Sequence, residues 1–431
     1  MNTPIDALPK MLRQPWVWTI FFLAAIPFFP EYIAPLLAIA ALIAAVRDAH
    51  AVGRPVVVGT LGKLVLLFIA YSAVGILYSD NTFNSVCTWL MWCVMLCGYL
   101  ALTTVLTDRR RLKAALISLT LTAGIIGLIG LAQYVTAAFL VPDAPLQFWE
   151  WLDSRVFELF PMEISLRITG LRVSATFTNP NILAEYLVMV FPFLIYCAFH
   201  GSRSRVQILC RFCLLFAISG LAFSFSRGGY VALAVIAVAF GILYMRNYPL
   251  WLLIGVSVLV LIPAPIMERL LSMSFTDEAV SERLQAWHIL FGVIGKHPIF
   301  GLGPGIQNVW DVLMENGLNV PHAHNLVLQL LAEGGIIALG LFLGMGVVLC
   351  RRGIQMLRRN TDGRILGGVF VIFALGFCAN SMVDYPLFTP KLVGIFLIVL
   401  ALSDSAADIF LERSPSPLRN ALTFRRRPSK P

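Results

Sequence analysis

At 431 residues, with 59% hydrophobic and 13% charged side chains and a mean hydropathy of +0.83, the chain excludes a soluble globular fold and reads as a polytopic integral membrane protein. Its formal net charge of +9 reads as a topology signal together with a face that tolerates anionic membrane lipids. Nucleic acid binding is not needed to explain it.

Apolar runs predict an all-α bundle of about twelve transmembrane helices. They lie near 16 to 29, 32 to 46, 64 to 78, 85 to 106, 113 to 140, 181 to 199, 206 to 225, 229 to 245, 248 to 266, 325 to 350, 365 to 382 and 391 to 411. The first run is followed directly by Phe28-Phe29-Pro30-Glu31, not by a small-residue cleavage site, so it is expected to stay in place. Lys and Arg resist translocation. Lys10 and Arg13, then Arg47 and Arg54, Arg109 to Lys113, Arg203 and Arg205, Arg246 and Arg351 to Arg364 all fall on one side, while the turns near Glu31 and Ser79 to Asn84 carry neither residue. Both termini are therefore expected in the cytoplasm. Residues 1–411 read as one transmembrane domain with outer segments at about 141–180 and 267–324, and 412–431 as a disordered basic tail.

The eight cysteines fall in or at the ends of apolar runs, where Cys acts as a small hydrophobe. Cys210 and Cys213 have C-x-x-C spacing but no second pair, so no zinc site is expected. Gly301-Leu302-Gly303-Pro304-Gly305 lies in an outer loop and reads as a tight turn. Upstream of it, residues 281–290 form an amphipathic stretch with apolar positions 284, 287, 288 and 291, expected to lie against the outer membrane-facing surface.

Outer cations break the charge bias, which makes them informative. They are Arg155, Arg167, Arg172, Arg227, Arg269 and Arg283, with Lys296 and Lys391. Arg227 is the most pointed, because Phe225-Ser226-Arg227-Gly228-Gly229-Tyr230 is a bare turn between two apolar helices. Its guanidinium either snorkels to headgroups or holds a phosphate through its planar fork of donors. Pro321-His322-Ala323-His324-Asn325 opens a span on the same side. A neutral imidazole there can take a proton from a hydroxyl, His324 being the stronger candidate and His322 the weaker. Asn325 either orients an imidazole or caps the helix. Asn179-Pro180-Asn181 opens the sixth span with Glu185 one turn inside, and Asp384-Tyr385-Pro386 sits between the last two spans. Either carboxylate could pair with an outer Arg. No outer loop carries an Asp-x-Asp pair or a His cluster with metal-ligand spacing, so no metal is expected.

These residues resemble the bacterial O-antigen ligases, in a group that also holds O-antigen polymerases and protein O-oligosaccharyltransferases. His324-Asn325, nine residues, then Gly335-Ile336-Ile337-Ala338 is similar to the family signature His-Asn-x9-Gly-x-x-Gly, with Ala338 in place of the last Gly, a helix-packing position. Arg227 in Ser-Arg-Gly-Gly, Arg283 in Glu-Arg-Leu-Gln-Ala-Trp, His297 to Gly305 and, less closely, Arg172 to Asn181 are similar to its other blocks.

The resemblance implies a GT-C-like membrane glycosyltransferase of the bacterial inner membrane with a periplasmic site. Its donor is a glycan on undecaprenyl diphosphate, and the ligase's acceptor is a hydroxyl of lipid A core oligosaccharide. Arg172, Arg227 and Arg283 would hold the diphosphate and His324 would be the general base, in an inverting reaction without cofactor. A polymerase would use a second carrier-linked glycan as acceptor. A protein-directed transferase commonly has a large soluble C-terminal region. A lipid-linked glycan transporter would be expected to show internal repeats and broken mid-membrane helices, which the sequence does not display.

Overall fold

The computed structural model describes residues 14–136, 172–200, 205–244, 278–359 and 363–411. These residues form thirteen α-helices joined by turns and short 3-10 segments. In chain order they are α1 (Pro15–Ala25), α2 (Ala34–Ala51), α3 (Thr60–Gly75), α4 (Thr82–Val105), α5 (Arg109–Val135), α6 (Pro180–Phe199) and α7 (Arg205–Phe223). There follow α8 (Arg227–Tyr244), α9 (Glu278–Lys296), α10 (Ile306–Glu315), α11 (Leu326–Leu357), α12 (Gly363–Ser381) and α13 (Pro390–Phe410). Ten helices are long and apolar enough to cross a membrane, and α1, which continues as a 3-10 turn to Phe28, is shorter. The chain is a polytopic helical membrane bundle. The expected span near 248 to 266, the outer residues Arg155, Arg167 and Arg269, and the basic tail lie outside the described residues.

Two helices form the centre. In α13 89% of the spanning window is buried and in α6 83%, against 33% in α3, α7 and α8. The peripheral helices turn large apolar side chains outward, among them Leu36, Leu67, Phe212 and Val347, as lipid contact requires. Small residues set the close approaches. A Cβ on Gly127 would meet the Phe216 carbonyl at 2.2 Å and one on Gly367 the Gly353 carbonyl at 2.6 Å, so α5 packs on α7, and α12 on α11, nearly backbone to backbone.

Basic side chains collect at one end of the bundle. Arg54 and Arg111 bond Asp48 there at 3.1 and 2.7 Å, Arg109 lies over Phe410 and Arg359 reaches the Leu411 carbonyl. Arg352, expected in a turn, instead ion-pairs with Asp404 inside the bundle, because α11 continues as helix to Leu357. The same Asp404 accepts from the Tyr99 hydroxyl and from the Leu61 N–H at the start of α3.

Helix α11 departs from the expected single span. Its 32 residues would extend about 48 Å as one rod, more than the hydrocarbon thickness. It breaks at Gly335, whose φ of 64° and ψ of −165° are not helical. The Tyr71 hydroxyl, with one proton to donate, lies 2.7 and 2.9 Å from the Ile299 and Gly334 carbonyl oxygens, and Ile336 N–H bonds the Pro298 carbonyl at 2.9 Å. A Cβ on Gly335 would lie 2.1 Å from the Ile299 oxygen, so glycine is required for both its backbone and its space. Residues 336–357 make the span, and residues 326–334 form a short arm that belongs to the outer structure.

That arm packs with α9 and α10 around a second small core of Ala286, Leu290, Val309, Leu313, Leu318, Val320, Ala323, Leu328 and Ala332. The buried face of α9 is therefore Ala286 and Leu290. Of the apolar positions at helical spacing, Leu284 and Phe291 are exposed. Small Ala286 lets α9 pack closely on the arm. The glycine-rich loop docks on the break, with Leu302 N–H to Ala332 O at 2.8 Å and Gly303 N–H to Glu333 O at 2.9 Å.

Candidate functional site

Helices α6, α8, α11 and α13 are among those that begin at the end of the bundle that carries His324. Asn179 caps α6 by accepting from Asn181 N–H, Asn325 caps α11 by accepting from Leu328 N–H and Thr389 caps α13 by accepting from Leu392 N–H. Pro180 and Pro390 stand in the first turns of α6 and α13, where no N–H partner is lost. Helix α8 begins at Arg227 itself. The positive ends of these helix dipoles thus lie on one side of the bundle.

The turn after α12 is where the site converges. Asn325 Nδ2 donates to Met382 O at 3.1 Å, Arg283 Nη1 donates to Val383 O at 3.0 Å, and His324 Nδ1 lies 2.9 Å from Asp384 Oδ1. Helix α8 touches the same turn, since a Cβ on Gly228, next to Arg227, would meet Val383 at 2.8 Å. Three consecutive residues, 382–384, are thus bonded to the histidine loop and to α9.

Backbone strain marks the same loops. Among the described residues, the non-glycine residues with positive φ are Ala175 (50°), Phe225 (51°) and His324 (47°). The first two flank Arg172 and Arg227 within three residues, and the third is the candidate base. Such conformations cost of order 1–3 kcal/mol each and persist where surrounding contacts impose them. His324 N–H bonds His322 Nδ1 at 3.2 Å, and between the two histidines Ala323 O accepts from Trp287 Nε1 at 2.7 Å.

His322 and His324 have separate environments. The His324 side chain keeps 20% of its exposure, whereas His322 is buried, with ring centroids 4.1 Å from His324 and 5.2 Å from Phe388. Burial foremost, then the charges of His324 and Arg283, push His322 down to about 3, against an opposing pull from Asp384. Burial alone would raise Asp384, but the hydrogen bond and charge of His324, with the Tyr385 N–H, hold it below the usual carboxylate range.

The His322 shift fixes a sign. Between pH 6.5 and about 3 the unfolded chain binds a proton that the folded chain refuses, so stability falls as pH falls through that window, by at most about 1.4 kcal/mol per pH unit. Thermal unfolding in detergent should show a falling midpoint from pH 6.5 to 4.5, and His322→Asn, which keeps an acceptor for His324 N–H, should flatten it. An unchanged slope would mean that His322 is not the group taking up the proton.

Arg172 Nε donates to Ser224 O at 3.0 Å and Nη2 to Asn181 Oδ1 at 2.8 Å, which ties it to the turn before Arg227. Glu185 is buried with its carboxyl beside Asp384. Among the described residues neither carboxylate bonds an outer Arg, the pairing left open by the sequence; Asp384 takes His324 instead, because the turn after α12 faces the start of α11. Asn325 caps its helix through Oδ1 and binds Met382 O through Nδ2, so both ends of its amide are engaged away from the imidazoles' nitrogen atoms.

His322, His324 and Asp384 present ligand-type atoms within 4.8 Å of one another, a grouping that could hold a metal ion. The sequence offers no such spacing within a loop, since Asp384 joins from 60 residues away. In the geometry present, however, Nδ1 of His324 faces Asp384 and Nδ1 of His322 accepts the His324 N–H.

Residues 212–343 match the family model described as O-antigen ligase. This segment is an O-antigen ligase family domain. No curated protein matches the chain. The O-antigen ligase domain contains Arg227, Arg283, His322, His324, Asn325 and the break at Gly335, and the family is one of membrane glycosyltransferases of ligase and polymerase type. Arg172, Glu185 and Asp384 come from sequence on either side of it, so the site is completed by helices outside the matched segment.

Proposed function

We propose that this protein is an O-antigen ligase that moves a glycan from undecaprenyl diphosphate to a hydroxyl of lipid A core oligosaccharide. The observation that carries the reading is the His324–Asp384 pair, 2.9 Å apart, at an end where Arg172, Arg227 and Arg283 meet four helix N-termini. That end faces the periplasm of a bacterial inner membrane, with both chain termini cytoplasmic. Support for this orientation is the gathering of Arg54, Arg109, Arg111 and Arg359 at the opposite end.

With Asp384 accepting the Nδ1 proton of His324, Nε2 keeps a free lone pair. Nε2 takes the proton of the acceptor hydroxyl as its oxygen attacks the anomeric carbon. The bond from that carbon to the diphosphate oxygen breaks, and its electron pair leaves with the carrier diphosphate. The three guanidinium groups and the helix dipoles stabilise the charge that grows there. Attack opposite the leaving group inverts the anomeric centre in one step. No cofactor or metal is invoked, because fixed cations do this electrostatic work.

Arg227→Ala and Arg283→Ala are expected to weaken donor binding by about tenfold or more each, with Lys restoring part, since a charged bond is lost and Lys lacks the planar fork. Unchanged binding of the carrier-linked donor in both Ala variants would reassign these residues to interfacial anchoring. The lipopolysaccharide of a deletion strain tests the function itself. Loss of all O-antigen from lipid A core, with carrier-linked polymer accumulating, is the expected result. Core bearing a single repeat would show a polymerase.

A further inference from the structure

A buried carboxylate outside the proton-transfer pair is joined to both of the loops that carry it. Glu333, on the arm of α11, is 6% exposed. Its Oε1 accepts from Gln329 Nε2 at 2.7 Å and its Oε2 from Gly305 N–H at 3.1 Å. Buried Tyr385 lines the same cavity as Glu333 and interacts electrostatically with this carboxylate. Each partner leads to the site. Gln329 Oε1 accepts the N–H of Ala323, which stands between the two histidines, at 2.8 Å. Tyr385 N–H donates to Asp384 Oδ1 at 3.0 Å.

We propose that Glu333 is a positioning residue for glycan transfer, holding the His324 loop and the Asp384 turn in register through Gln329 and Tyr385. The direction of every bond in the chain follows from its ends. Ala323 N–H and Gly305 N–H can only donate, so Gln329 must present oxygen to the first and nitrogen to Glu333, and position 333 must accept on both sides. Glutamine at 333 has one acceptor too few. Either Gly305 N–H faces an amide NH2, or both amides flip and Ala323 N–H loses its acceptor. Exchanging the residues, Gln329→Glu with Glu333→Gln, satisfies every donor again: Ala323 N–H and the new amide both donate to Glu, and Gly305 N–H donates to the amide oxygen.

This inference rests on the proposed transfer reaction, so the test uses purified full-length chain with undecaprenyl diphosphate-linked glycan and lipid A core oligosaccharide. Glu333→Gln is expected to lower kcat by about tenfold to a hundredfold through misplacement of the pair, with donor KM within about twofold. The exchanged double variant should recover kcat to within about threefold of wild type, while Gln329→Glu alone, which sets two carboxylates face to face, should not. Wild-type kcat in Glu333→Gln overturns the proposal. So does a double variant no faster than Glu333→Gln, or a recovery that only follows the unfolding midpoint. Should Glu333→Gln fail to accumulate, Tyr385→Phe, which removes one donor, is expected to lower kcat in the same way, and wild-type kcat there overturns the proposal equally. His324→Ala run alongside separates the two readings: full activity in that variant removes the transfer mechanism, whereas its inactivity beside a fully active Glu333→Gln removes only the role of Glu333.

Discussion

His324→Ala is expected to lower the turnover of glycan transfer by about a hundredfold or more while leaving the protein folded and able to bind donor. The ring stands just before the N-cap of α11 with a fifth of its side chain exposed, so truncation removes little packing. What it removes is the Nε2 acceptor for the hydroxyl proton. The left-handed backbone at this position remains occupied by a residue with a Cβ, and the N–H bond to His322 Nδ1 is kept. Donor affinity should stay within about threefold, because the cations proposed to hold the diphosphate are on other elements. A variant with near-normal kcat would shift the role of base to His322 or to a carboxylate of the same end.

Asp384→Asn is the second large effect. Asp384 Oδ1 lies 2.9 Å from His324 Nδ1 and accepts the Tyr385 N–H, and in the proposed reaction its charge favours the imidazolium that forms when Nε2 gains the hydroxyl proton. An amide offers no charge, and when its NH2 faces His324 it selects the tautomer with the proton already on Nε2. In a Ser-His-Asp triad the same change costs about 10⁴; with a less buried base the expected loss in kcat here is about 10²- to 10⁴-fold. Because both residues act through one proton, the double variant His324→Ala with Asp384→Asn should be no slower than His324→Ala alone. Additive losses would show that Asp384 acts elsewhere, for instance on Glu185 beside it.

The bundle was legible in the sequence because lipid forces long apolar runs with satisfied backbone, and the caps at Asn179, Asn325 and Thr389 lie where Asn and Thr precede those runs. His324, Arg227 and Arg283 were legible as polar exceptions in apolar surroundings. The break in α11 was not, since Gly334-Gly335 in a hydrophobic run is ordinary in a membrane helix; only the approach of Pro298 and Ile299 to that point makes Gly335 a corner. The pairing of Asp384 with His324 was also hidden. An Asp in a short turn can serve any neighbour, and nothing in the spacing says that the turn after α12 faces the start of α11. In α9 the side toward the small outer core is set by Ala286 and Leu290, which the helical spacing of the large apolar residues does not single out.

The most direct measurement is transfer by the purified protein in excess EDTA, with a glycan on undecaprenyl diphosphate as donor and lipid A core oligosaccharide as acceptor. Core-linked glycan should appear at the same rate with or without added magnesium or manganese, with the anomeric configuration opposite to that of the donor. Product that forms only on a second carrier-linked glycan, or activity that vanishes in chelator and returns with one of those ions, would contradict a metal-free ligase built on His324 and Asp384.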